Sequence, residues 1–145
     1  IKNQVQALTD AGAKRPKVFF EEWDVPHISA IAWVSELLGI AGGDDCFPEL
    51  AKEPLGKNRI IANSQTIIDR NPDIIIGSWC GKKFRPDHVA ARQGWQEVAA
   101  VKNQQLFEVK SSYILQPGPA ALTDGLQQLH SIIEQWMKNQ LKTIE

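Results

Sequence analysis

A chain of 145 residues, 43% hydrophobic and 23% charged, is long enough to bury a real core without disulfide or metal staples. Its formal net charge of -1 offers no basis for a nucleic-acid or polyanion partner. No apolar run approaches the roughly 18 residues that span a bilayer, and Cys46 and Cys80 lie far apart without metal-ligand spacing.

The chain opens on Ile1 within what reads as a helix, so a longer parent protein is expected, with any targeting signal outside this sequence. Val5 and Leu8 keep helical spacing up to Lys14-Arg15-Pro16, where the proline stops the helix. Lys17 to Glu22 is the first strand, with a continuous apolar centre, and Trp23 to His27 is the loop at its carboxyl end. The periodicity predicts a helix over Ile28–Ile40, closed by Gly42-Gly43 in a left-handed cap. Residues 44–58 read as a surface connection, and Arg59-Ile60-Ile61 as a short edge strand. Asn63 or Ser64 caps a brief helix that ends at Asn71-Pro72.

Asp73-Ile74-Ile75-Ile76-Gly77 follows, a strand apolar on both faces, as parallel strands between helices are. The loop after it, Ser78-Trp79-Cys80-Gly81-Lys82-Lys83-Phe84, is the most distinctive stretch of the chain. Pro86 to Arg92 is helical, Gly94-Trp95 starts another turn, and Gln105 to Val109 is the last strand. Lys110 to Gln116 reads as a loop, and Pro117-Gly118-Pro119 starts a C-terminal helix with Leu122, Leu126, Leu129, Ile133 and Trp136 on one face. Helices alternating with strands predict an α/β, three-layer, Rossmann-like lobe with a mostly parallel sheet. Right-handed crossovers then bring the strand carboxyl ends to one rim, where open α/β sheets hold ligands.

That rim collects Trp23, Trp79 and Tyr113, which suits a flat or bulky ligand, with Lys82, Ser111, Ser112 and Gln116 to orient it. The competing reading folds one or two of these aromatics inward as core. Signals for catalysis are weak. Glu21 and Glu22 are adjacent on a strand and point to opposite faces, so they are no carboxylate pair. No Ser-His-Asp, Cys-His or phosphate-loop arrangement and no glycine-rich turn after the first strand is legible. His88 and His130 read as solvated helix residues without partners at i+3 or i+4.

Four motifs nevertheless look familiar in this order. They are Arg15-Pro16-Lys17-Val18-Phe19-Phe20-Glu21-Glu22-Trp23, the helix ending Ile40-Ala41-Gly42-Gly43, Asn71-Pro72-Asp73-Ile74-Ile75-Ile76-Gly77, and Gln116-Pro117-Gly118-Pro119-Ala120. Over essentially the whole chain they resemble the C-terminal lobe of periplasmic substrate-binding proteins of ABC importers. The group concerned takes up cobalamin, ferric siderophores and haem, and the likeness is strongest to its cobalamin-binding branch. The resemblance implies that residues 1–14 end a helix connecting two lobes, that residues 15–145 are the C-terminal lobe, and that an N-terminal lobe lies outside this chain. It implies a periplasmic or lipid-anchored protein, and a ligand held between lobes by Glu22, Trp23, Arg59, Trp79, Cys80, Lys82, Phe84, Ser112 and Tyr113. No catalytic residue, resident cofactor or protein-bound metal is implied. Cobalamin or another metal chelate is the expected ligand, and an inner-membrane ABC permease the expected partner.

In the family a glutamate before the Asn-Pro-Asp strand pairs with a permease arginine; here the matching position is Gln65, a neutral amide, with Asp69 and Glu53 nearby. Two other classes stay open. One is a small α/β enzyme using Cys80 or His27; the other is a fragment that self-associates through an aromatic face formed by Trp23, Trp79 and Tyr113.

Overall fold

The computed structural model describes residues 1–116 and 118–144. Its centre is β1 (Lys17–Trp23), where Val18, Phe19 and Phe20 are all fully buried. β5 (Ile74–Gly77) lies parallel beside it in a register that sets Val18 against Ile74, Phe19 against Ile75, Phe20 against Ile76 and Glu21 against Gly77. Side chains alternate across a sheet, so this pairing sorts the core in two. Val18, Phe20, Ile74 and Ile76 face one way and meet Val34, Leu38, Leu129 and Ile133. Phe19 and Ile75 face the other way and meet Phe47, Ile67, Trp79, Phe84 and Trp95. Helices on both faces give the three layers that the apolar strands require.

β6 (Leu106–Glu108) extends the sheet in parallel beyond β5. On the other side, the edge of β1 is shared. β3 (Asp44–Asp45) pairs in parallel with Lys17 and Val18, while β2 (His27–Ser29) pairs antiparallel with Glu21 and Trp23. β4 (Ile60–Ile61) closes the order β4-β2-β1-β5-β6. The α/β expectation and the mostly parallel centre of the sheet therefore hold, with an antiparallel margin.

The helices are α1 (Lys2–Asp10), α2 (Ala32–Ala41), α3 (Pro48–Ala51), α4 (Ser64–Arg70), α5 (Pro86–Ala90), α6 (Ala99–Lys102), α7 (Ser111–Ile114) and α8 (Leu126–Ile144). Gly42 ends α2 at φ 110°, the left-handed cap expected from Gly42-Gly43. Asn63 caps α4 by accepting from the Gln65 N–H, and Asn71 ends it in the left-handed region.

The differences from expectation have local causes. The helix predicted from Ile28 starts at Ala32, because the chain reverses at Asp24–Pro26 and spends His27–Ser29 as a strand on the open edge of β1. Residues 110–116 contain α7 rather than only a loop. Leu122 is 67% exposed rather than inward, since Ala121–Gly125 forms a wide π turn that rotates it off the buried stripe carried by Leu129 and Ile133. His130 is buried: its Nδ1 lies 3.2 Å from the Ala41 carbonyl and its Nε2 3.2 Å from Glu134, the i+4 partner that the sequence reading overlooked. Pro117, expected near the first position of the last helix, lies outside the described residues.

Gly77 ends β5 directly beneath the Phe84 ring, and a Cβ there would overlap that ring. Gly77→Ala should therefore destabilise the fold by about 1–3 kcal/mol through overpacking, read as a lower denaturant midpoint with an unchanged slope. A midpoint equal to the parent's would mean that Phe84 moves aside without cost.

Candidate functional site

β1, β5 and β6 end together, so their loops share one rim, as the parallel order demands. The strand ends place Glu21 and Glu22 in different surroundings. Glu21 is fully buried. Arg92 donates to both of its oxygens, at 2.7 and 2.9 Å, and the Trp79 indole N–H donates to Oε1 at 3.0 Å. His27 Nδ1 sits 3.1 Å from Oε2. Arg92 lies over the Trp95 ring at 4.5 Å, and the His27 and Trp95 rings pack at 5.6 Å. Glu22 turns the other way, accepting from the Ile31 N–H at 2.7 Å and from Arg59 at 2.8 Å. Burial pushes the Glu22 carboxyl up, against the pull of Arg59 and of the Ile31 amide.

This packing turns three of the expected ligand residues inward. Trp79 is 3% exposed, held inside by its bond to Glu21 and by edge-on contact with Phe84 at 4.9 Å. Phe84 is buried over Gly77. Arg59 is 4% exposed, spent on Glu22 and on the Ser29 carbonyl. All three sit under the rim and support it instead of presenting side chains at its surface.

The others reach solvent. Trp23 is half-buried, Tyr113 is 37% exposed on α7, and Cys80, Lys82 and Ser112 are exposed. Trp23 and Trp79 are at the same end of the sheet, because the Lys82 ammonium lies 5.4 Å from one ring centroid and 5.2 Å from the other. The same ammonium is 2.9 Å from Asp24. Partial burial works against ionisation of Asp24, but the hydrogen bond and charge of Lys82 outweigh it and hold the carboxyl below its ordinary value. A groove of about 560 Å³ runs from Trp79 and Lys82 to Lys110, Ser111 and Ser112, with Lys83 and Glu108 on its walls. A second rim groove, about 740 Å³, lies between the Asp24–His27 turn, the start of α4 and Arg92–Trp95.

Cys80 is a free thiol, and Cys46 is a buried one that burial pushes up to about 12. Among the described residues no cluster of His, Cys, Asp and Glu side chains is placed to hold a metal ion, and no helix is long and apolar enough to cross a membrane. Gln65 is exposed and donates to Asp69 across one turn of α4 at 2.8 Å. Sequence reasoning missed Arg92. Its position at a helix end gave no hint of a buried carboxylate 71 residues earlier.

Two outcomes follow from this geometry. Removing Arg92 (Arg92→Met) leaves the buried Glu21 charge without its main partner and should cost about 3–5 kcal/mol, measured by urea unfolding. A loss under 1 kcal/mol would show that Glu21 reaches water or a proton when the guanidinium is gone. For Asp24, a pKa depressed in the fold means that its bridge persists through the ordinary carboxylate range and is lost as pH falls below 3.8. Tryptophan emission should step there as Lys82 leaves the two rings, and Lys82→Met should remove that step. A step of equal size in the variant would contradict the stacked geometry.

A family profile described as "periplasmic binding protein" matches residues 1–113. No curated protein matches the chain. Among solved structures, a possible iron-binding periplasmic solute-binding protein of Staphylococcus epidermidis superposes with a TM-score of 0.69 at 23% identity, over 91% of this chain and 51% of its own. The periplasmic vitamin B12-binding protein BtuF of Vibrio cholerae gives 0.60 at 21% identity, over 91% and 50%. The periplasmic haem-binding protein BhuT, in complex with two haems, gives 0.67 at 15%, over 93% and 53%. This chain thus spans about half the length of the structures it matches, and at such identities they speak to the fold alone. The family profile covers most of the sequence, and the chain belongs to the periplasmic binding protein family.

Proposed function

We propose that the chain is the C-terminal lobe of the substrate-binding component of an ABC importer. On this reading residues 1–14 end the connecting helix, residues 15–145 form the lobe, and the ligand is clamped against a second, N-terminal lobe. Cobalamin or a related corrinoid is the proposed ligand. Binding and hand-over to an inner-membrane permease use contact and charge and require no catalytic step. The protein would work in the periplasm, free or lipid-anchored.

The observation that carries this reading is the rim itself. Parallel strand ends bring their loops to the side where α/β sheets take ligands. Lys82 lies over half-buried Trp23 and Ser112 is on the same groove as Lys82, which supports assigning them, Cys80 and exposed Tyr113 to the ligand face. An amphipathic aromatic offers a large contact area at small entropic cost, as a broad macrocycle needs. Glu22 and Arg59 contribute by bracing the Trp23 end of β1, and Trp79 and Phe84 by packing beneath the groove. Likeness to proteins that bind vitamin B12 and haem supports a bulky planar chelate. Gln65 occupies the proposed docking position on α4; an amide cannot form the family's ion pair, so docking through this lobe is weaker than usual or falls to Asp69 or Glu53.

One observation favours the runner-up ligand, a ferric siderophore or haem. Lys82, Lys83 and Lys110 border the same groove, and clustered ammonium groups suit the acid groups of an anionic chelate.

Titration of the full-length protein separates these readings. Cyanocobalamin should bind one to one and quench tryptophan fluorescence, and Trp23→Ala should weaken binding at least tenfold. Tight binding of haemin or a ferric siderophore with none of cobalamin would move the assignment to the runner-up. Failure of all three ligands would reject chelate binding.

A further inference from the structure

The second rim groove holds an arrangement that the transport reading does not use. His27 stands between two oxygen groups: its Nδ1 is 3.1 Å from Glu21 Oε2, and its Nε2 is 3.1 Å from Ser64 Oγ. The side chains come from the end of β1, the start of β2 and the first turn of α4, so the spacing of 6 residues on one side and 37 on the other conceals the set in sequence. We propose that Ser64, His27 and Glu21 form a Ser-His-Glu relay, and that this lobe carries a weak acyl-transfer activity toward small activated esters.

The relay requires one tautomer of His27, and its two partners are placed to accommodate it. Glu21 is buried and accepts from Arg92 on both oxygens, which makes it an acceptor facing His27 Nδ1. The relay uses the tautomer in which His27 Nδ1 donates to Glu21 and Nε2, 3.1 Å from Ser64 Oγ, accepts the Ser64 Oγ–H. That is the state a general base needs before it activates a hydroxyl. The ring cannot swing freely, because Trp95 packs against it and Glu21 is fixed by Arg92 and by Trp79. Glu21 acts here as a positioning residue. Its oxygens are shared with Arg92 and Trp79, so its part in the relay is to orient the imidazole, and the expected activity is low for that reason.

Ser64 is half-buried and opens onto the groove of about 740 Å³, whose apolar wall is Pro26, Ile61, Ile68 and Trp95. Asp24 and Arg92 also line this groove but are engaged by Lys82 and Glu21, so a short uncharged acyl or aryl ester suits the apolar wall beside Ser64. Asn63, on the same wall, spends its Oδ1 on capping α4 by accepting from the Gln65 N–H. In the first step Ser64 Oγ bonds to the carbonyl carbon while its proton passes to His27 Nε2. The C–O bond to the leaving alcohol then breaks, and the alkoxide takes that proton from His27. Water repeats the sequence on the acyl-serine, releasing the acid and restoring Ser64. The site is separate from the chelate groove, so this activity and the transport reading can fail independently.

The test uses the full chain with p-nitrophenyl butyrate and a fluorophosphonate probe. Hydrolysis above the buffer rate is expected, with covalent labelling that peptide mass spectrometry places on Ser64. Ser64→Ala and His27→Gln should each lower hydrolysis at least tenfold and abolish the label, while circular dichroism and the unfolding midpoint confirm a folded lobe. No label on Ser64, hydrolysis that survives Ser64→Ala, or labelling untouched by His27→Gln would overturn the relay. If His27→Gln fails to fold, pre-steady-state release of p-nitrophenol by the parent decides: a burst matching the Ser64 label supports the proposal, and a linear trace without label rejects it.

Discussion

Much of the rim depends on one carboxylate that has no access to water. Glu21 lies in the last rung of the parallel β1–β5 ladder, opposite Gly77, where the strand would ordinarily hand over to a solvated loop. An ion buried there costs several kcal/mol unless its lone pairs are filled. They are filled by Arg92, by the Trp79 indole and by His27, which arrive from three separate connections. Each donor is thereby pinned to the end of the central strand. The loop after β5 folds back over Gly77, the turn around Trp95 closes under Arg92, and the hairpin into β2 is held at His27.

This constraint changes the character of the surface. Trp79 and Phe84, which would have enlarged the aromatic face, are drawn inward to cover Glu21 and Gly77. Arg59 is withdrawn in the same manner by Glu22. Trp23 stays half-buried and Tyr113 partly exposed, with Lys82 lying over Trp23 and lysines along the neighbouring groove. The rim is therefore less aromatic and more cationic than a count of its loop residues suggests, and it sits on a braced floor instead of a row of free side chains. A binding lobe gains from that bracing, since contacts that need no reordering cost less entropy on association.

The layered fold was legible because it rests on short-range periodicity. Ile74-Ile75-Ile76 and Val18-Phe19-Phe20 can be satisfied only with apolar cover on both faces, and Gly42 and Asn71 mark helix ends by backbone conformations that few residues tolerate. The family likeness drew on the same motifs. Less of the site could be read. Which way an aromatic or a charged side chain turns depends on partners tens of residues away, and a buried Glu21 leaves no trace in a local pattern. His130 illustrates the limit even within one helix: Glu134 stands one turn on, but burial against Ala41 depends on how α8 meets α2.

By itself, the order of residues determined an α/β lobe with parallel central strands, the loops at their carboxyl ends, and membership in a group of binding proteins, since alternating polarity and turn chemistry act over a few residues. Tertiary structure alone decided which rim side chains meet solvent, that Glu22 and Arg59 join each other, and that Ser64 reaches His27. Those outcomes follow from the need to satisfy every buried charge and polar group, a condition imposed by the packed whole and by no single stretch of chain.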